Sequence, residues 1–142
     1  MGTHPGLPAG EHLAGGRRNA AISNAAVRIH REYLRRGPQH ARTTIAGDLV
    51  VVMLHDALTP AERRLVDDGR AADVIGVRQT FQDTMRGDLV AAVEELTGRT
   101  VLASMTANHI DPDLTCQTLV LAPASADAER AGSPPERGAP PD

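Results

Sequence analysis

Apolar residues recur along this chain at different spacings, and the changes of spacing mark its elements. Ile22, Ala25, Ala26, Ile29 and Tyr33 fall at helical intervals, while Arg28, Arg31, Glu32, Arg35 and Arg36 take the opposite side. The pattern predicts an amphipathic helix that starts after Asn19 as N-cap and stops at Gly37-Pro38. Glycine accepts the left-handed cap conformation there, and proline cannot continue the ladder. From Ala41 the period changes to two: Arg42 and Thr44 alternate with Thr43 and Ile45 up to the Gly47-Asp48 turn signal. An unbroken apolar run, Leu49 to Leu54, follows. It predicts a strand that is apolar on both faces and belongs in the middle of a covered sheet.

Thr59-Pro60-Ala61-Glu62 is a helix start. Thr59 is the N-cap, Pro60 fills the first helical position, and Glu62 can reach back to the cap backbone N–H. This short helix runs to about Val66 and ends near Asp67-Asp68-Gly69. A longer helix follows from Ala71 to Thr97, with Val74, Val77, Phe81, Met85, Leu89, Ala92 or Val93, and Leu96 as its apolar stripe and Gly98 as its stop. At 1.5 Å per residue it is roughly 40 Å long, against a diameter of roughly 26 Å for a domain of about 100 residues. It must project, bend, or pack on another copy; Gly76 and Gly87 each weaken it by about 1 kcal/mol relative to Ala, which leaves open whether it is continuous past Gly87. Two further strands, Thr100 to Thr106 and Leu114 to Leu121, flank a turn at Asn108 to Asp113. The order α-β-β-α-α-β-β predicts an α+β fold: a four-stranded antiparallel sheet covered on one face by helices. It occupies a single domain over residues 19–122, between Gly/Pro-rich flexible tails at 1–18 and 123–142.

Composition sharpens this picture in three ways. The chain has one Phe, one Tyr and no Trp, so its core must be aliphatic, and burial between two copies is a reasonable source of additional stability. All of its Lys+Arg total of 15 is arginine, yet the net charge is -3 and the arginines are interspersed with acids, which argues against a nucleic-acid partner. A single cysteine, Cys116, excludes an internal disulfide and suits a reducing compartment. No stretch reaches the ~20 apolar residues of a membrane span, and the N-terminus lacks the apolar centre of a signal peptide. The expected location is the cytoplasm.

Candidate chemistry is sparse. His109, Asp111 and Asp113 have a spacing that could hold a divalent ion if His30, His40 or His55 converged on them, although Asn, Asp and Pro are also ordinary turn formers. His55 lies where the apolar strand meets the capped helix, and Arg42 on the first hairpin could bind an anion. His4 and His12 in the N-terminal tail have no fixed geometry. Cys116 has neither a base nor a basic neighbour in sequence. Glu94 and Glu95 are adjacent on a helix and point about 100° apart, so they do not form an acid/base pair. Phosphate-binding glycine loops, paired cysteines and nucleophile elbows are absent, so neither a catalytic residue nor a cofactor site is expected.

Arg36-Gly37-Pro38, the apolar strand ending at Leu54, Leu58-Thr59-Pro60-Ala61-Glu62 and Glu94-Glu95-Leu96-Thr97-Gly98 together resemble the bacterial MpsC-like family over roughly residues 20–121. In that family the matched positions include Gly37, Pro38, Thr59, Pro60, Glu62 and Gly98, which are caps and turns. The connection at Asn108 to Asp113 departs from the more polar, Gly-containing link of many members. The resemblance implies a non-enzymatic accessory or regulatory protein associated with a sodium-translocating, membrane-potential-generating system, or more broadly with membrane ion or bicarbonate transport. It also implies no catalytic residues. With the doubly apolar strand, it leads to the expectation of a homodimer that binds a protein partner. The alternative is a small-ligand or metal sensor using Arg42, His55 and the 109–113 loop.

Overall fold

The computed structural model describes residues 9–124, which form α1 (Ala9–Leu34), β1 (His40–Ala46), β2 (Leu49–His55), α2 (Pro60–Asp67), α3 (Ala71–Thr97), β3 (Val101–His109) and β4 (Leu114–Leu121). The element order is the one the sequence predicts. The tail assignments for residues 1–8 and 125–142 lie outside the described residues.

All strand pairings are antiparallel, and the sheet order is β1-β2-β4-β3. The apolar strand β2 therefore has a neighbour on each side, as its composition demands. The helices α1 and α3 lie against each other across one face of the sheet, α1 over β1 and α3 over β3. Between helices and sheet sit Ile22, Ala26 and Ile29 from α1, Val50, Val52 and Leu54 from β2, Met85, Leu89 and Val93 from α3, and Leu119 and Leu121 from β4. Each Val, Leu, Ile or Met side chain among them contributes about 1.5–3 kcal/mol on burial.

The helix ends follow from local chemistry. Thr59 and Glu62 form a reciprocal capping box: the Thr59 Oγ1 accepts the Glu62 N–H at 3.1 Å, and Glu62 Oε1 accepts the Thr59 N–H at 2.8 Å. Gly98, at φ 70°, terminates α3 in the left-handed conformation. Beyond it, Arg99 bonds the carbonyls of Ala122 and Gly47 and pairs with Asp48, which ties the β1–β2 turn to the end of β4.

Three local expectations are corrected and one open point is settled. Helix α1 begins at Ala9, well before Asn19, which lies inside it and is not an N-cap. The sequence has no proline from Ala9 to Leu34, so the backbone ladder can continue through Gly15-Gly16 at about 1 kcal/mol per glycine. Helix α3 has the predicted bounds, Ala71–Thr97, and is continuous through Gly87. Asn108 and His109 belong to β3, and the turn is confined to the residues that follow. Finally, the buried stripe of α3 passes through Val74, Arg78, Gln82, Met85, Leu89 and Val93, leaving Val77, Phe81 and Leu96 exposed. Two polar residues replace two apolar ones because the ends of β3 and β4 beneath them carry polar partners.

Candidate functional site

The sheet's second face has no helix over it among the described residues. Strand alternation puts Val50, Val52 and Leu54 into the core and Leu49, Val51, Met53 and His55 on the other side. Register extends this face across the sheet. Leu49 lies between Ala46 and Val120, Val51 between Thr44 and Thr118, Met53 between Arg42 and Cys116, and His55 between His40 and Leu114. On the far edge, Ala103, Met105, Ala107 and His109 continue the same four rows. Val51, Met53 and Cys116 on the two inner strands make its centre apolar, and the apolar surface extends to Leu49 in one end row, 41% exposed, and Met105 on the edge strand, 52% exposed. Its single formal charge is Arg42, and its histidines fall in the end row.

Within that row, His40 and His55 are directly opposed, their ring centroids 6.3 Å apart and their planes at 79°. They share an open hollow with Ala41, Arg42, Thr44, Val51 and Met53. Arg42 and His55, both predicted as site residues, are thus brought together, with His40 added. His109, Asp111 and Asp113 do not line this hollow. His109 uses Nδ1 to donate to the Pro112 carbonyl at 2.8 Å, and Asp111 is exposed in the turn.

Asp113 is buried and fully employed. Its Oδ2 accepts the Leu58 N–H at 2.8 Å, its Oδ1 lies 3.4 Å from Arg78 Nη2, and Arg63 approaches from the surface at 3.6 Å. This carboxylate therefore joins α2 and α3 to the start of β4. Next to it, Gln82 and Asn108 exchange reciprocal amide hydrogen bonds, each of 2.8 Å, and Thr115 Oγ1 donates to Asn108 at 2.9 Å. Sequence reasoning missed Arg78 and Gln82. Their spacing from Val74 and Met85 is the signal that would have found them.

Helix α1 meets this polar bed through His30, which is buried. Its Nδ1 donates to the Ala26 carbonyl at 2.8 Å, fixing the neutral tautomer with an acceptor at Nε2. Burial holds its pKa below the usual histidine value, and the positive Arg78 acts in the same direction, only partly opposed by the bond to Ala26. His30, Arg78, Glu62 and Gln82 line a cavity of about 10 Å³, room for a single water. Arg78 Nη1 has no protein partner there among the described residues.

Among the described residues no group of three or more His, Cys, Asp or Glu side chains converges as a metal cage. The Cys116 thiol contacts Thr118 Oγ1 at 3.7 Å. No described helix is long and apolar enough to cross a membrane.

A family model described as "Na+-translocating membrane potential-generating system (MpsC)" matches residues 15–123. The match spans every described strand and helices α2 and α3, together with most of α1. Comparison with curated proteins and with solved structures yields no match.

Proposed function

This chain belongs to the MpsC family, and from that premise we propose that it is a non-enzymatic accessory or regulatory protein that works by docking. It acts in the cytoplasm as a homodimer and engages a protein of a membrane ion or bicarbonate transport system. The observation that carries this reading is the open sheet face, apolar at its centre and charged only at Arg42. A surface of this kind is costly to leave in water and is the usual mark of an interaction site.

A second copy is a suitable occupant. Four strands about 4.8 Å apart and seven residues long at about 3.3 Å each make a face of roughly 19 by 23 Å. In plan that is about half of the ~800 Å² that each partner contributes to a standard interface, before side-chain relief and the rim are added. The same patch on both copies forms a closed two-fold contact, and sheets stack face to face at about 10 Å through interdigitated aliphatic side chains. A centre without formal charge opposes nothing in that arrangement. Size-exclusion chromatography with light scattering on the full chain tests the dimer: a mass near twice 15.0 kDa is expected at micromolar concentration, and a clean 15.0 kDa species contradicts it.

A second reading, a small-ligand or metal sensor, draws on the hollow shared by Arg42, His40 and His55. It is tested by thermal shift, since a ligand specific to the folded chain raises the melting temperature.

A further inference from the structure

We propose that His40 and His55 together chelate a divalent transition ion of the zinc, copper or nickel class. This site deepens the metal-sensor reading of the hollow and lies in the end row of the face proposed to dock, and its test reads metal binding rather than mass, so either can fail without the other.

Register makes the pair. The two histidines are directly opposed on neighbouring strands, with centroids 6.3 Å apart and rings nearly perpendicular. Metal–nitrogen bonds of about 2.0–2.1 Å bring the centroids of two imidazoles on one ion to roughly 5–6 Å. The rings must therefore close by about an ångström or less, a movement within the soft terminal torsion of histidine. Availability separates these two from the other histidines with described side chains. His30 and His109 each commit Nδ1 to a backbone carbonyl, whereas neither the His40 ring nor the His55 ring has a hydrogen-bond partner among the described residues. His40 is exposed and His55 half-buried, so both can be reached from solvent.

The lining of the hollow selects the class of ion. It offers two imidazoles and the Met53 thioether, but no carboxylate, and it includes the positive Arg42. Hard cations such as calcium and magnesium rely on several oxygen ligands, carboxylates above all, and the only side-chain oxygen in this lining is the Thr44 hydroxyl. Ions that bond well to nitrogen and sulfur can be held despite the nearby guanidinium. Two protein ligands leave further coordination positions for water or for a donor from whatever covers the face.

The test is calorimetric titration of the full chain with Zn2+ at neutral pH, paired with the EPR spectrum of the Cu2+-loaded protein. The unaltered chain is expected to bind saturably in the micromolar range, with coupling to two nitrogens in the Cu2+ spectrum. His40→Asn and His55→Asn are each expected to weaken binding by about tenfold or more, because the second imidazole is no longer supplied within the molecule. Each is also expected to lose one nitrogen from the spectrum, while His109→Asn leaves both readouts unchanged. Circular dichroism confirms that the variants are folded. Absence of saturable binding, or binding by the His40 and His55 variants equal to that of the unaltered chain, overturns the proposal. The second outcome assigns the ion to other histidines, such as His4 and His12.

Discussion

Arg78 and Asp113 face each other across the interior, 3.4 Å apart, with side chains 6% and 4% exposed. Asp113 also holds the Leu58 N–H, so its loss leaves both a buried guanidinium and a buried backbone donor without a partner. Breaking a buried pair from one side costs about 3–5 kcal/mol. Asp113→Ala is therefore expected to lower unfolding stability by that amount in urea titration. Arg63, 56% exposed, reaches the same carboxylate from solvent, and Arg63→Ala is expected to cost less than about 1 kcal/mol. Equal effects of the two substitutions would contradict this division of roles.

His30 makes stability depend on pH in a defined direction. Its folded pKa is lowered by burial, so below the ordinary histidine value of about 6.5 the unfolded chain binds a proton that the folded chain resists. With more protons bound in the unfolded state, stability rises with pH through this window and falls on acidification below about 6.5. The urea midpoint of the unaltered chain is expected to drop between pH 7.5 and 5.5 by more than that of His30→Gln. An identical drop in both would remove His30 from the account.

Gly87 lies in the exposed interior of α3, and an added Cβ there meets nothing within 4 Å. Gly87→Ala is expected to stabilise the chain by about 0.5–1 kcal/mol, the ordinary helix-propensity gain, seen as a higher melting temperature. A loss of stability would mean that the helix is bent or broken at this position.

The parts of the fold that local chemistry dictates were legible in the sequence. Thr59 and Glu62 form the capping box their spacing requires, Gly98 caps α3, and the run from Leu49 to Leu54 becomes a central strand. The error in the α3 stripe arose where tertiary contacts choose between neighbouring residues. Val77 and Phe81 fit an apolar helical stripe as well as Arg78 and Gln82 fit a polar one. The decision lay with Asp113 and Asn108, distant in sequence and paired to those polar side chains. Of the predicted site residues, Arg42 and His55 share one hollow because they lie on paired strands, and His40 joins them through register. Asp113 looked like a loop ligand because no local pattern announces a buried carboxylate that binds an arginine far along the chain. The exposed second face of β2 was also readable, since a strand apolar on both sides asks for a second cover that this chain's own described helices do not provide.

That second face carries the central claim, and sedimentation velocity on the full chain and two variants tests it most directly. Val51 lies near the middle of the open face, between Thr44 and Thr118, whereas Val77 is exposed on the helical side. The unaltered chain and Val77→Lys are expected to sediment as dimers at micromolar concentration. Val51→Lys, folded by circular dichroism, is expected to sediment as a monomer, because it places a charge at the centre of the contact. A monomeric unaltered chain, or a Val51→Lys variant that remains a dimer, would contradict the account.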